Sequence, residues 1–297
     1  MKPLPFQWII YKLPHGLETG LAESPSYPRV DRWRQRPSDG TSIVYERHGE
    51  GPPLILLHGG GTRHYWTPIV PQFTDDFTVV VPDRRGYGES GDNDEYSIER
   101  EIDDARAVID SVDGDLILFG HSFGGLQAIE AAQVTPVETV IAYEPAYLVS
   151  EYRERADLAA RMQARLDDGR PRETMKLHLR EVLHGSEDVD FERWLDGWPA
   201  RPACVENVEN TVRMDRALER HSLPDGLDVD APSLLLTGTE GPPHLRDSVR
   251  AVHDALPDSR LAEFVGVSHF GPTEAPDRVT ARVRSFVSGK GTENRIE

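Results

Sequence analysis

The chain has 297 residues, enough to bury a full α/β core and to carry an insertion within it. Acidic residues outnumber basic ones by 51 to 33 for a formal net charge of −18, which excludes the basic face that a nucleic-acid partner requires. No stretch approaches the roughly 20 consecutive apolar residues of a membrane span, and residues 1–12 offer only Trp8-Ile9-Ile10 where a signal peptide has its apolar core. A cytoplasmic protein without a membrane partner, acting on small molecules, is therefore expected.

Residues 1–31 are rich in proline and glycine without a sustained period and read as an irregular extension. Strand signals begin at Thr41-Ser42-Ile43-Val44-Tyr45, after the turn Ser38-Asp39-Gly40. They continue at Leu54-Ile55-Leu56-Leu57 and Phe77-Thr78-Val79-Val80-Val81. The last two are continuous apolar runs, as strands covered on both faces should be. A helix is predicted over residues 97–111, a strand at Leu116-Ile117-Leu118-Phe119, a helix over 126–133 and a strand at Val140-Ile141-Ala142-Tyr143. Residues 147–230 then change character: charged amphipathic segments at 153–167 and 172–183, with Trp194 and Trp198 nearby, and no strong strand. Strand signals return at Ser233-Leu234-Leu235-Leu236-Thr237 and over 260–265, a closing helix is expected over 277–287, and 289–297 read as a flexible tail.

Strands alternating with helices at this spacing imply crossover connections and a mostly parallel sheet. The expected fold class is α/β: a core of residues 32–146 and 231–288 with a helical lid at 147–230. The single cysteine, Cys204, cannot form an internal disulfide, and no His, Glu or Cys spacing matches a zinc site, so no metal is expected.

The most specific signal is Gly120-His121-Ser122-Phe123-Gly124, placed after a buried strand and before a helix. A sharp strand-to-helix turn lifts the serine hydroxyl above the sheet, and the flanking glycines keep side chains out of the neighbouring backbone. His58-Gly59-Gly60-Gly61 follows an earlier strand, where backbone N–H groups can face the oxygen that turns negative when a carbonyl is attacked. Gly60, with Gly61 as the alternative, and Phe123 are the candidate donors. Gly86, Gly88 and Gly91 match a dinucleotide fingerprint, but Asp92-Asn93-Asp94-Glu95 follows instead of a helix N-terminus, so no cofactor is expected.

The chain resembles the α/β-hydrolase family. The resemblance rests on Leu56-Leu57-His58-Gly59-Gly60, Pro82-Asp83-Arg84-Arg85-Gly86-Tyr87-Gly88-Glu89-Ser90, the segment 120–125, Gly266-Val267-Ser268-His269-Phe270 and Glu274-Ala275-Pro276. It implies an eight-stranded type of sheet, Ser122 as nucleophile and His269 as base, with the Asp83-Arg84-Arg85-Gly86 loop shaping structure rather than chemistry. The family usually carries its acid three residues after the glycine that ends the seventh strand; counted from Gly238, that slot is Gly241. Glu144, at the end of the strand beside the nucleophile, is one substitute and is preferred. Glu240 is the other.

The resemblance implies a cofactor-independent hydrolase of esters or related acyl bonds. C–C bond hydrolysis, perhydrolase chemistry and a non-catalytic small-ligand receptor are the alternatives. Trp194 and Trp198, with Met162, are expected to face an apolar substrate pocket, and the oligomeric state is open. Only four of the 33 basic residues are lysines, a composition resembling proteins of salt-accumulating microbes, so stability is expected to rise with KCl as screening relieves self-repulsion.

Overall fold

The computed structural model describes residues 32–154, 156–183, 191–196 and 202–289. The expected extension 1–31 lies outside the described residues, as does the tail from 290 onward.

Eight strands form one sheet in the order β1-β2-β4-β3-β5-β6-β7-β8. They are β1 (Arg32–Gln35), β2 (Ile43–His48), β3 (Pro53–Leu57), β4 (Thr78–Pro82), β5 (Ile117–His121), β6 (Thr139–Tyr143), β7 (Ser233–Gly238) and β8 (Ser259–Phe264). Strands β1 and β2 pair antiparallel with their neighbours and the other six run parallel.

The continuous apolar runs arise because both faces of the parallel strands are covered. Alternate residues serve two cores: Ile55, Leu57, Leu118, Val140 and Leu235 on one face, Leu54, Leu56, Phe119, Ile141 and Leu236 on the other. The first face is covered by α1 (Ile98–Ile109), α2 (Phe123–Ala132) and, later in the chain, the helix Pro243–Ala255. The second is covered by the turns around Tyr65, Trp66 and Phe73 and by the closing helix Pro276–Val287. Ser97 caps α1 by accepting the Arg100 N–H at 3.3 Å, the capping expected of a serine just before a helix.

Between β6 and β7 the described residues form six helices and no strand: α3 (Ser150–Glu154), α4 (Leu158–Asp167), α5 (Pro171–Leu183), α6 (Phe191–Asp196), α7 (Pro202–Glu206) and α8 (Val208–Leu218). Met162, Met175, Leu195, Val208 and Val212 give them a small core of their own, while Met214 and Leu218 of α8 join the core on the sheet. The amphipathic segment 153–167 takes in the end of α3 and the whole of α4. The remaining helices are α9 (Pro243–Ala255), α10 (Gly271–Glu274) and α11 (Pro276–Val287). No helix of the described residues is long and apolar enough to cross a membrane.

Several elements escape the sequence reading, among them α10, strand β1 and helix α9. Strand β1, Arg32-Trp33-Arg34-Gln35, is a largely exposed edge strand with no apolar alternation. Helix α9 buries only Leu245, Val249 and Val252 as apolar residues, alongside His244 and Ser248, so its apolar stripe is thin.

Candidate active site

Ser122 stands where β5 turns into α2, with φ 55° and ψ −121°. This backbone region disfavours any residue with a Cβ, and the surroundings hold the residue in it. The Ser122 N–H donates to the Tyr143 carbonyl at 2.9 Å, and its own carbonyl accepts from Gly125 at 2.9 Å and Ala146 at 3.1 Å. A Cβ on Gly120 would lie 2.0 Å from the Gly124 carbonyl oxygen, and one on Gly124 2.1 Å from that of Leu57, so the tight turn forces glycine on both sides of the serine.

Glu144, the residue after β6, is fully buried and has φ 44°. Its Oε2 accepts a hydrogen bond from His269 Nδ1 at 2.7 Å. Its Oε1 accepts from the Thr237 hydroxyl at 2.7 Å and the Gly238 N–H at 3.1 Å. Each bond to the charged carboxylate is charge-assisted, and together they leave Oε2 to fix the imidazole as the Nδ1–H tautomer.

The room for Glu144 comes from Gly241: a Cβ there would lie 2.0 Å from Oε1. The slot that lacks an acid is thus the space into which the carboxylate from β6 reaches. Glu240 is exposed and its carboxylate takes the Thr239 hydroxyl at 3.4 Å; the structure does not bring it to His269.

The His269 loop is tied to the serine turn through His121. His121 Nε2–H donates to the His269 carbonyl at 2.8 Å, and the two rings lie 4.5 Å apart. Burial, with the nearby His269, pushes the His121 pKa well below the usual range for histidine, which keeps the ring neutral in this low-dielectric site. It also stacks on Tyr65, centroids 4.4 Å apart.

The glycine loop after β3 is anchored from behind. His58 is completely buried; its Nδ1–H donates to the Gly59 carbonyl at 3.0 Å and its Nε2 accepts the Arg84 N–H at 3.1 Å. Burial and the Arg84 charge lower the His58 pKa to about 3. The Arg84 guanidinium also donates to the Gly59 carbonyl, through Nη1 at 2.9 Å. In a trans peptide the C=O and the next N–H point in opposite directions, and no peptide of the described residues is cis. Fixing the Gly59 carbonyl inward therefore turns the Gly60 N–H away from Arg84. Phe123 N–H, at the first position of α2, has no intrahelical acceptor. Arg84 links the two segments that carry the candidate donors, because its guanidinium also lies 3.8 Å from the centre of the Phe123 ring.

A model described as the alpha/beta hydrolase family matches residues 54–282. The chain belongs to this family. A solved α/β hydrolase from Sphaerobacter thermophilus DSM 20745 is 30% identical, with a TM-score of 0.75 over 86% of this chain and 99% of that one. The esterase RhEst1 from Rhodococcus sp. ECU1013 superposes with a TM-score of 0.68 over 88% of this chain and 99% of that one at 23% identity, a likeness of fold. Among curated proteins, a fluoroacetate dehalogenase from Burkholderia sp. is 26% identical over 277 residues, 81% of this chain and 88% of the relative. These homologues support hydrolase activity for the chain.

In this hydrolase, Gly60, Ser122, Phe123 and His269 border one cavity of about 400 Å³, to whose other walls α3, α4, α5 and α8 contribute, with Cys204 of α7 and His244 and Leu245 of α9. Four of the five residues expected to carry the chemistry thus share one space, and the fifth, Glu144, bonds to His269. The expected pocket residues fare differently. Met162 packs fully buried in the core of the helical segment, while Leu158, Met175, Leu179 and Leu218 line the cavity. Trp194 falls on α6, but its side chain and the whole of Trp198 lie outside the described residues. Among the described residues no cluster of three or more His, Cys, Asp or Glu could hold a metal.

Arg84 was passed over by the sequence reading, which treated its loop as structural. Its contacts reach Gly59, 25 residues away, and Glu101, 17 residues away, and no spacing rule signals them. Gly86, Gly88 and Gly91 sit in the loop after β4, seven residues before α1 begins at Ile98.

Proposed function

We propose that the chain is a serine hydrolase that cleaves a small-molecule carboxylic ester or related acyl bond through an acyl-enzyme intermediate. The observation that carries this reading is the buried Glu144–His269 hydrogen bond of 2.7 Å on the wall of the cavity that Ser122 also lines. Ser122 Oγ attacks the substrate carbonyl, while the Gly60 and Phe123 N–H groups stabilise the oxyanion. His269 takes the serine proton at Nε2 and returns it to the leaving group; Glu144 orients the ring and stabilises the imidazolium. Water then attacks the acyl-enzyme by the same route, and the serine is regenerated.

Serine at the turn supports acyl transfer over carbon–halogen cleavage, for which members of this fold carry aspartate there. Helices α3–α8 act as a lid over the cavity, and their apolar side chains, Met175 and Leu179 among them, suit a partly apolar acyl or alcohol group. The protein works on small molecules in the cytoplasm without a cofactor.

A series of p-nitrophenyl esters from acetate to dodecanoate tests the reading: saturable hydrolysis is expected, with an optimum at one chain length. Failure to turn over any member would refute it. Gly241→Ala is expected to lower kcat about tenfold with little change in KM, because the new Cβ displaces the Glu144 carboxylate and a small misplacement of a catalytic group is costly. Steady-state kinetics on the best ester checks it.

A further inference from the structure

A second histidine–carboxylate pair faces the same cavity, and the proposed chemistry does not use it. His178, on α5, and Asp215, on α8, are both buried and both line the cavity. His178 Nδ1 lies 2.8 Å from Asp215 Oδ2; the carboxylate accepts, so Nδ1 carries the proton. This bond ties α5 to α8 and accounts for one ring nitrogen. Among the described residues Nε2 has no hydrogen-bond partner, on a side chain that borders the substrate space. A polar atom held there in the absence of a protein partner is available to a ligand.

The charge around the pair narrows the ligand. Among the described residues that line the cavity, Glu151, Asp157, Glu181 and Glu219 accompany Asp215, and Arg161 is the one arginine. That arginine is already engaged, by Asp157 at 3.3 Å and Glu181 at 2.6 Å. A carboxylate entering this region would face like charges, chiefly that of the buried Asp215. A hydroxyl is uncharged, donates to Nε2 when the imidazole is neutral, and accepts from it when the imidazole is charged.

Resting on the ester-hydrolase reading, we propose that His178, oriented by Asp215, forms a polar subsite at the helical wall of the cavity that binds a hydroxyl group of the substrate. The preferred substrates are then hydroxyl-bearing esters rather than simple alkyl or anionic ones. His178 is a specificity-determining residue, removed from the bond that breaks.

The test compares matched substrates in two series. One is p-nitrophenyl esters of alkanoic acids against their ω-hydroxy and ω-carboxy counterparts of four, six and eight carbons. The other is acetate esters of simple alcohols against those of diols, followed by proton release. The wild-type protein is expected to favour a hydroxylated member of one series over its plain match by about tenfold in kcat/KM, the scale of one well-placed hydrogen bond. In His178→Phe the ratio falls to near one. The double variant His178→Phe/Asp215→Leu, which leaves no unpaired buried carboxylate, gives the same collapse if the single variant folds poorly. His178→Gln, which keeps a polar group able to donate and accept, retains part of the preference.

Plain esters hydrolysed with no hydroxyl preference in either series would overturn the subsite and leave the hydrolase reading standing. So would a preference that survives in the double variant, or a preference for the carboxylate-tailed esters. Absence of hydrolysis throughout, together with no reaction of Ser122 with a fluorophosphonate, would take down both.

Discussion

Glu144→Gln is expected to lower kcat for ester hydrolysis by about 10⁴, the loss seen when the acid of a comparable triad is replaced by its amide. The reason lies in how the carboxylate is held. Its Oε1 accepts from the Thr237 hydroxyl and the Gly238 N–H, so the glutamine places its carbonyl oxygen there and turns its NH₂ toward His269. That NH₂ can only donate, which forces Nδ1 to accept and moves the ring proton to Nε2, the nitrogen that must take the proton from Ser122. The base is then blocked although no atom has moved far. Because the substitution is isosteric and Oε1 keeps both donors, the fold should persist, which circular dichroism checks alongside the kinetics. Glu240→Gln, at an exposed position, is expected to stay within about twofold of wild type, as surface changes usually do. Near-normal turnover in Glu144→Gln would remove Glu144 from the mechanism.

Replacing the Arg84–Glu101 pair should reduce kcat by about 10² with little change in KM. Removing an oxyanion donor outright costs about 10² to 10³ in kcat, and here a donor is loosened rather than lost. Arg84 supplies one of the two bonds that hold the Gly59 carbonyl and so set the direction of the Gly60 N–H. It also packs on the Phe123 ring, beside the other donor. Arg84→Met alone would leave the Glu101 carboxylate buried without its cation, a defect worth about 3–5 kcal/mol. The informative variant is therefore Arg84→Met/Glu101→Gln. The glutamine still accepts from Tyr96, which donates to Glu101 Oε1 at 2.7 Å in the native protein. Affinity for a boronic acid, whose tetrahedral adduct imitates the oxyanion, should fall in parallel with kcat. Activity within about twofold of wild type in a folded double variant would show that His58 alone orients the loop.

Parts of the site were legible in the sequence and others were not. The turn around Ser122 is coded locally: an apolar strand, two glycines without room for a side chain, and a helix. His269 follows the last strand and is similarly placed by chain order. The candidate acid was legible only as a choice, because the placement of Glu144 beside His269 depends on the space left by Gly241, 97 positions later in the numbering. Arg84 was illegible as more than a loop residue, since the Gly59 carbonyl and the Phe123 ring become its neighbours only when β3, β4 and β5 lie side by side. The same holds for His178 and Asp215, which meet across two helices 37 residues apart.

At the level of the fold, the edge strand β8 is only partly buried, while the parallel strands β3 to β7 announced themselves by burial on both faces. The edge strand β1 did not: Trp33 opposes Tyr45 across an antiparallel ladder, yet the segment stays largely exposed, so no hydrophobic pattern marks it. The helices between β6 and β7 were legible as a group, and their boundaries were not. Helices α4 to α8 bury narrow stripes in a small separate core, to which α3 adds nothing, and several are shorter than two turns.

The central claim is that Ser122 is an activated nucleophile served by His269 and Glu144. Reaction with a fluorophosphonate, followed by mass spectrometry of the intact chain and its peptides, tests it most directly. One adduct per chain is expected, on the peptide carrying Ser122, forming rapidly in the wild type, far more slowly in Glu144→Gln and not at all in Ser122→Ala. An adduct on another residue, or ester hydrolysis that continues at full rate in Ser122→Ala, would contradict the account.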